Sequence, residues 1–353
     1  MRRHIVLVIW IAGTGCSSEL APASDLRCAT MPVQLAVHPH AAAQMTTDGQ
    51  DLIDTRGWHG RLYFGYGDLA LNTGPIIVSS LDPATGNWID HFTFQTEKIQ
   101  RFEPIGDRLY APAADPHGGQ PDPEYAVGTA THDWGAGGID IGRSLHVIEA
   151  VERVPGELYL TGEDLFGTST TITSASVWRS VNGGPFTEIF PEANPDPAIQ
   201  NNQLNTWFFN AAALDGMLYV GFGWVFDGQQ WTHPAVELGE FHHPTTFAGR
   251  IVSATLGELW AFDGHQLHNL HFTLFESTGL EQTTLTPLPI FQQTEGHLVA
   301  INEEGSVMST TDLETWTCEG KAPADVRSIG SLDGTIYFGG AGGRIYGYPA
   351  PSW

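Results

Sequence analysis

A loop rich in carboxylates and histidines is a candidate site for chemistry in this 353-residue chain. It runs from residue 111 to residue 138, and its acidic and imidazole side chains are Asp115, His117, Asp122, Glu124, His132 and Asp133. Carboxylates beside histidine can bind a divalent cation or act as an acid–base pair in hydrolysis. No recognised ligand spacing occurs, and loops of this composition are usually solvated connectors. We therefore expect no metal and no cofactor, with a divalent cation as the alternative.

Aromatic residues close to this loop could add a stacking surface for a ligand such as a carbohydrate. The candidates for a binding rim are Trp58, His59, His117, Asp122, Glu124, His132 and Trp134. The alternative is that the aromatic residues are buried between strands. The sequence contains no Gly-x-Ser-x-Gly, no His-Glu-x-x-His and no Gly-x-x-x-x-Gly-Lys motif. This pattern favours binding over catalysis.

A repeated signature predicts the elements that must position these residues. A Gly-x-Leu-Tyr pattern, or a variant of it, places its Leu or Ile at Leu62, Leu109, Leu158, Leu218, Leu259, Leu298 and Ile336. The steps between these positions are 47, 49, 60, 41, 39 and 38 residues. A repeat of this length made of short strands and turns is typical of a β-propeller, with one four-stranded blade per repeat.

The prediction is an all-β fold, a β-propeller of seven four-stranded blades whose N- and C-terminal segments share one blade. Six or eight blades remain alternatives, and a β-sandwich is the second architecture. The fifth repeat is ambiguous because Gly249-Arg250-Ile251-Val252 competes with Gly257-Glu258-Leu259-Trp260 for the signature position. The two segments could be consecutive strands of one blade.

Residues 1–16 resemble an export signal. Arg2 and Arg3 precede a short apolar segment, which is too short to span a bilayer, and Gly13-Thr14-Gly15-Cys16 resembles a bacterial lipobox. We predict lipidation at Cys16, with ordinary cleavage after Ala23 as the alternative. Residues 17–30 are predicted to be a tether and residues 31–353 a single propeller domain. The predicted location is the cell envelope, as an outer-membrane lipoprotein or a periplasmic or extracellular protein.

Export determines what the cysteines can do. Once Cys16 is lipidated or removed, Cys28 and Cys318 form an even pair in an oxidising compartment. The first and last segments of a propeller commonly share a blade, so a Cys28–Cys318 disulfide would cross-link the closure of the ring. Two unpaired buried thiols are the alternative.

The composition excludes some partners. The chain has 15 Lys and Arg against 40 Asp and Glu, a formal net charge of −25. Such a field repels nucleic acid and anionic lipid headgroups. We therefore expect no nucleic-acid partner, contact with a membrane only through the N-terminal lipid, and a monomer.

Two hairpins resemble the Asp-box turn of sialidase-like propellers, whose pattern is Ser-x-Asp-x-Gly-x-x-Trp. They are Ser180–Phe186 and Thr310–Trp316, and each is one residue shorter than the family pattern. In that superfamily the box is a structural turn between the outer two strands of a blade. The resemblance therefore implies a fold and says little about activity.

The resemblance also implies a set of candidate catalytic residues. Sialidases grip a substrate carboxylate with three arginines, and Arg56, Arg101 and Arg327 each precede a signature strand. Guanidinium groups pair with carboxylates in a bidentate manner. Asp115 or Asp133 would then supply the acid or base. The family's Phe/Tyr-Arg-Ile-Pro motif is absent from this chain.

Two functions follow from these patterns. We favour an exported, lipid-anchored propeller without enzymatic activity that binds a glycan or an envelope protein. The alternative is a sialidase-like glycoside hydrolase that acts on an acidic sugar. These two functions differ in whether the three arginines meet beside a tyrosine and a carboxylate.

Overall fold

Seven four-stranded antiparallel sheets form a ring in the computed structural model, and the fold is a β-propeller. The structure describes residues 28–69, 71, 73–113, 125–139, 144–165, 172–189, 210–232, 242–255, 257–275, 290–294 and 296–348. The predicted blade number and all-β class are confirmed. Within the described residues, no helix is both long enough and apolar enough to cross a bilayer.

The strands follow one another with short turns between them. In chain order they are β1 (Val33–Val37), β2 (Asp54–Trp58), β3 (Arg61–Gly65), β4 (Ile76–Asp82), β5 (Asn87–Phe94), β6 (Glu103–Ile105), β7 (Arg108–Pro112), β8 (Tyr125–Thr129), β9 (Trp134–Gly137), β10 (Ser144–Val154), β11 (Glu157–Leu165), β12 (Ile172–Val181), β13 (Thr187–Glu188), β14 (Ala211–Leu214), β15 (Met217–Val220), β16 (Trp224–Phe226), β17 (Trp231–Thr232), β18 (His242–Phe247), β19 (Arg250–Thr255), β20 (Glu258–Phe262), β21 (Leu267–Thr273), β22 (Phe291–Thr294), β23 (His297–Ile301), β24 (Ser306–Thr310), β25 (Thr317–Lys321), β26 (Val326–Leu332), β27 (Thr335–Gly340) and β28 (Arg344–Gly347). The α-helix described is a single turn, α1 (Pro39–Ala42).

The blades take four strands each in sequence, apart from the last. Blade 1 is β2 to β5, and blades 2 to 6 continue in fours to β25. Blade 7 has the order β26, β27, β28 and β1, so the N-terminal strand supplies its outermost member. β1 pairs antiparallel with β28 through partners such as Val33 and Gly347. The predicted sharing of one blade by both chain ends is confirmed.

The signature glycines lie in the turn between the first and second strand of each blade. All seven have a positive φ, between 59° and 84°: Gly60, Gly106, Gly156, Gly216, Gly249, Gly296 and Gly334. Glycine reaches this region without the steric cost that a Cβ imposes, and tight hairpins require it. The seven turns therefore explain the Gly of the repeat.

The second strand of each blade explains the Leu-Tyr part of the repeat. Successive residues of a strand point to opposite faces, and both faces of a blade are covered by neighbours. In blade 4, Leu218 packs in one cluster with Tyr159 of blade 3. The next residue, Tyr219, packs in another cluster with Phe262 of blade 5. The signature thus encodes the two interfaces that every blade makes.

The hydrophobic core lies between the blades and is divided into six clusters. One cluster joins blade 1 to blades 7 and 2, and the other five each join one further pair of neighbours. Each cluster holds residues from at least two blades, so no single blade buries its apolar faces alone. This arrangement matches the general behaviour of repeat folds.

The structure resolves the ambiguity in the fifth repeat. Ile251 and Val252 lie on β19, the second strand of blade 5, and pack toward blades 4 and 6 respectively. Leu259 lies on β20, the third strand of the same blade. The segment that begins at Gly249 is therefore the true signature, and the two segments are consecutive strands.

Blades 7 and 1 approach each other with backbone against backbone. A Cβ added at Gly57 of β2 would lie 1.9 Å from the carbonyl oxygen of Ser331 on β26. A Cβ added at Gly330 would lie 2.0 Å from the carbonyl oxygen of Thr55. Both distances are far inside van der Waals contact, so glycine at these two positions permits the junction that closes the ring.

A disulfide joins Cys28 to Cys318, as the sequence predicts, with 5.5 Å between the Cα atoms. Cys318 lies on β25, the outer strand of blade 6, and Cys28 lies just before β1 of blade 7. The backbone N–H of Lys321 also donates to the carbonyl oxygen of Thr30 at 2.9 Å. The bond therefore ties the N-terminal segment to the blade next to the closing one.

Aspartate-capped hairpins connect the third and fourth strands of four blades. Each aspartate accepts two backbone N–H hydrogen bonds through Oδ1, over 2.7–3.3 Å, and the four are Asp82, Asp227, Asp263 and Asp312. The backbone donors lower the pKa of Asp312. Trp316 of the same hairpin packs on Phe272 with 4.3 Å between ring centroids. All four aspartates form Asx turns, and Asp312 lies in Thr310–Trp316, one of the two hairpins that resemble the Asp box.

Candidate functional site: the central channel

The first strands of the seven blades lie next to one another around a central channel, and three cavities are described in it. The largest of these three, about 590 Å³, opens at the end where the turns of His59, Gly106 and Asp333 lie. We call this end of the channel the hairpin end. A second cavity of about 400 Å³ lies along the first strands of blades 2 to 5. A small cavity of about 40 Å³ lies toward the opposite end, beside Ile53 and Ile290.

The three arginines singled out from the sequence all line the small cavity. Arg56 lies on β2 and Arg327 on β26, whereas Arg101 lies two residues before β6. Arg56 and Arg101 also line the large cavity at the hairpin end. The structure therefore brings the three residues to one channel, although they come from blades 1, 2 and 7.

Two of the three arginines are neutralised by carboxylates of the protein. Arg101 forms an ion pair with Glu103 and donates from Nη1 to Glu149 at 3.2 Å. Arg327 donates from Nε to Asp51 at 2.6 Å. Burial lowers the pKa of Arg101, but Glu103 and Glu149 outweigh burial, so the pKa is raised. Both guanidinium groups are therefore paired with carboxylates of the protein itself.

Arg56 is different. Its side chain is only 7% exposed, and Nη1 donates to the carbonyl oxygen of Gln293 at 3.3 Å. Its Nε has no hydrogen-bond partner. Within the described part of the chain, no ion pair to a carboxylate is formed by this guanidinium. Arg56 thus presents a charged donor to the channel.

Two buried carboxyl groups flank the arginines. Asp54 accepts hydrogen bonds from the backbone N–H of Phe102 at 2.7 Å and from Nε2 of Gln292 at 3.0 Å. Burial raises the pKa of Asp54, against the opposing effect of Arg56. Burial likewise raises the pKa of Glu149, against the effect of Arg101. Both carboxyl groups hold protons more tightly than an exposed side chain would.

Four of the predicted rim residues meet in an aromatic cluster between blades 1 and 2. The Trp58 ring lies 4.5 Å from the His59 ring and 5.9 Å from the His132 ring, measured between centroids. Trp134 lies 5.6 Å from Tyr63, whose hydroxyl is hydrogen-bonded to Nδ1 of His132 at 2.7 Å. Trp58 is only 7% exposed. This cluster is therefore mainly packing, and His59 is its exposed edge at the hairpin end.

The remaining predicted residues are separate from the channel or outside the description. Asp133 lies in the exposed turn before β9, where Oδ2 accepts from Thr131 at 2.8 Å, and it lines none of the three cavities. Asp115, His117, Asp122, Glu124 and Cys16 lie outside the described residues. Among the described residues no group of three or more His, Cys, Asp or Glu could hold a metal ion.

Sequence reasoning missed several residues of the channel. Gln292 and Gln293 supply amide groups, Thr245 donates to Oε1 of Gln293 at 2.9 Å, and Glu149 pairs with Arg101. The available signal was position, because all of these residues lie on the first strand of a blade. Neutral amides and threonines on such strands carry no distinctive pattern.

The fold and this site define a class, a seven-bladed β-propeller with a polar central channel. No protein-family model matches the chain, and no curated protein is recognisably similar in sequence. The sialidase-like resemblance therefore remains a prediction.

Solved structures share the fold at low identity. One is YCF48 bound to D1 peptide, with a TM-score of 0.52, 10% identity, and coverage of 91% of this chain and 96% of that one. Another is the Pan2 WD40 domain of Neurospora crassa, with a TM-score of 0.52, 10% identity, and coverage of 92% and 98%.

Proposed function

We propose that the protein is an exported, lipid-anchored propeller that binds a partner of the cell envelope at the hairpin end of its channel. The observation that carries this proposal is the cavity of about 590 Å³ lined by residues of blades 1, 2, 5, 6 and 7. Ligand sites are typically concave, largely preformed and lined by a few convergent polar groups. A rigid ring of blades holds such a site without further ordering.

An envelope protein fits this cavity better than a glycan. Sugar rings are commonly bound on exposed aromatic faces, but the aromatic rings in the described lining of this cavity belong to Trp58 and His59, and Trp58 is only 7% exposed. Amide and hydroxyl groups from Gln293, Thr245 and Thr294 are instead suited to the backbone of a peptide. A propeller with a bound peptide is represented by YCF48 with D1 peptide.

Location is the second part of the proposal. Residues 1–16, which resemble an export signal, and the lipobox-like segment that ends at Cys16 support export to the envelope. The Cys28–Cys318 disulfide supports the same location because such bonds persist in oxidising compartments.

Site-directed photo-crosslinking tests the proposed surface. A benzophenone amino acid at His59 would lie at the hairpin end, whereas the same residue at Ile89 would lie on the outer strand β5, where the native side chain is 45% exposed. We expect a discrete adduct with an envelope protein from position 59 and none from position 89. Equal adducts at both positions, or none at position 59, would contradict the proposal.

One observation favours the hydrolase alternative, namely that Arg56, Arg101 and Arg327 line one cavity. Against it, two of these arginines already have carboxylate partners, and none of the described residues lining the three cavities is a tyrosine. A fluorogenic sialoside distinguishes the two functions. Turnover by the purified protein that is lost in Arg327→Gln would establish the hydrolase, and we expect no turnover.

A further inference from the structure

The Arg56 guanidinium is the unusual charge of the channel. A buried charge without a partner costs free energy, and proteins normally pair such groups or hydrogen-bond them fully. Arg56 is 7% exposed, yet it makes one hydrogen bond of 3.3 Å to a backbone oxygen and leaves Nε without a partner. Arg56 lines both the large and the small cavity.

Other arginines of the described chain show what full pairing looks like in this fold. Arg153 binds Glu157 at 2.6 Å, and Arg344 binds Asp325 at 2.6 Å. The two other arginines of the channel, Arg101 and Arg327, are paired as described above. Arg179 outside the channel also has an Nε without a partner, but its Nη2 pairs with Glu157 at 2.5 Å. What distinguishes Arg56 is that it is buried and that no carboxylate pairs with it among the described residues.

We infer that Arg56 is the recognition residue for a carboxylate of a bound peptide, a chain-terminal or side-chain group that enters from the hairpin end. This inference rests on the proposed function and names the chemistry of its ligand. Nη1 donates to the Gln293 carbonyl oxygen and the unpartnered Nε is itself enclosed, so an incoming oxygen would reach the guanidinium from the cavity through Nη2. A charge-assisted hydrogen bond there would pair the buried guanidinium with a carboxylate.

The charges around Arg56 favour a group with a single negative charge. Asp54, Glu103 and Glu149 lie in the same channel, and Arg101 and Arg327 are already committed to carboxylates. A phosphate or sulfate dianion would meet this acidic surround with only one uncommitted guanidinium to offset it. A carboxylate carries half that charge and matches one arginine.

Neighbouring amides could hold the peptide that carries the carboxylate. Gln293 is exposed to the channel one residue after Gln292, and its Oε1 is already oriented by the Thr245 hydroxyl at 2.9 Å. Thr294 lines the same cavity closer to its mouth. These groups form a polar path from the hairpin end to Arg56, so an extended segment could place its last carboxylate at the guanidinium.

The test uses a minimal probe and the full propeller. N-acetyl-triglycine, which ends in a free carboxylate, is titrated beside N-acetyl-triglycinamide, which has the same backbone without the charge. The readouts are the NMR signal of the Arg56 Nε–H group and the dissociation constant. We expect the carboxylate probe to shift this signal and the amide probe to bind at least about tenfold more weakly.

Variants place the effect at the residue. Arg56→Gln should abolish the preference for the carboxylate probe, and Arg56→Lys should retain part of it because the charge remains. Arg108→Gln changes an exposed arginine of the neighbouring hairpin and is the matched control, with no expected effect. If Arg56→Gln does not fold, the comparison of the two probes on the wild-type protein still tests whether the carboxylate is recognised, and the Arg56 NMR signal still tests where it binds.

Three results would overturn the inference. Equal binding of the two probes would show that the carboxylate is not the group that the protein recognises. A preference for the carboxylate probe that persists in Arg56→Gln would show that the carboxylate binds at another residue. Binding of N-acetylneuraminic acid at Arg56 without binding of the peptide probe would replace the peptide with an acidic sugar. A crosslinked partner at position 59 together with any of these results would leave the binding function standing and reject only its carboxylate subsite.

Discussion

Removal of the Cys28–Cys318 disulfide should destabilise the propeller strongly. The bond closes a loop with a sequence separation of 290 residues. For a loop of that length, the entropy removed from the unfolded chain corresponds to about 5–6 kcal/mol at 25 °C. The unfolding entropy of a domain of roughly 320 residues is about 0.7 kcal/mol per kelvin. The double variant Cys28→Ser/Cys318→Ser should therefore melt about 8 °C lower than the wild type.

Two measurements check this expectation. Denaturant unfolding gives the loss of free energy, and the wild type under reducing conditions should match the double variant. Hydrogen exchange then locates the effect, because β1 is held by β28 and by the segment that the disulfide anchors. Exchange should accelerate most in β1 and β28, whereas in the sheet of β10 to β13 only the amides that exchange through global unfolding should accelerate. An unfolding free energy within about 1 kcal/mol of the wild type would refute the reasoning that the bond secures the closure of the ring.

Four further predictions follow from single residues. Gly57→Ala should lower the free energy of unfolding by about 1–3 kcal/mol in calorimetry, because the added Cβ would lie 1.9 Å from a backbone oxygen. The control Gly135→Ala, whose Cβ would have no atom within 4 Å, should change it by less than about 0.5 kcal/mol. Equal effects of the two variants would contradict the close approach of the backbones. Burial lowers the pKa of His38 from 6.5 to about 3, so the unfolded chain takes up a proton first and stability falls as the pH drops below 6.5. Urea unfolding from pH 7 to 5 should show a pH dependence up to about 1.4 kcal/mol per unit steeper than in His38→Gln, and identical slopes would refute it. Asp312→Ala should lower the melting temperature and Asp312→Asn should preserve it, because the amide oxygen can still accept the two backbone N–H groups; equal losses would contradict this role. Mass spectrometry of the mature protein should find a diacylglycerol-modified Cys16 at the N-terminus, and an unmodified N-terminus after Ala23 would contradict lipidation.

The fold could be predicted because a local sequence signature recurs seven times, once in each blade. Each copy of the signature combines a glycine that needs a positive φ with two residues that face opposite neighbours, as Leu218 and Tyr219 do. The blade number follows from counting these copies, and the shared closing blade follows from the way in which propellers commonly close their ring. The fifth copy needed the structure because Gly249 and Gly257 both have a positive φ and both precede strands. Only the pairing of the strands shows which of them is the second.

The pairing of charges in the channel could not be predicted in the same way. Arg101 and Glu149 are 48 residues apart, and Arg327 and Asp51 are 276 residues apart. Their meeting depends on the radius of the ring and on the register of the first strands, which no local pattern encodes. The sequence therefore indicated three equivalent arginines, whereas in the structure Arg101 and Arg327 are paired with carboxylates and Arg56 has no ion pair among the described residues.

The contrast between signature and channel explains why the fold is evident and the function is not. Residues of the signature serve the blade interfaces, which are similar in every repeat, so they recur. Residues of the channel face the axis at which all seven repeats converge, and a ligand there contacts several blades at once. Its binding groups must therefore differ from blade to blade, as Arg56, Thr245 and Gln293 do. On this argument, functional residues of such a ring are to be sought where first strands depart from one another.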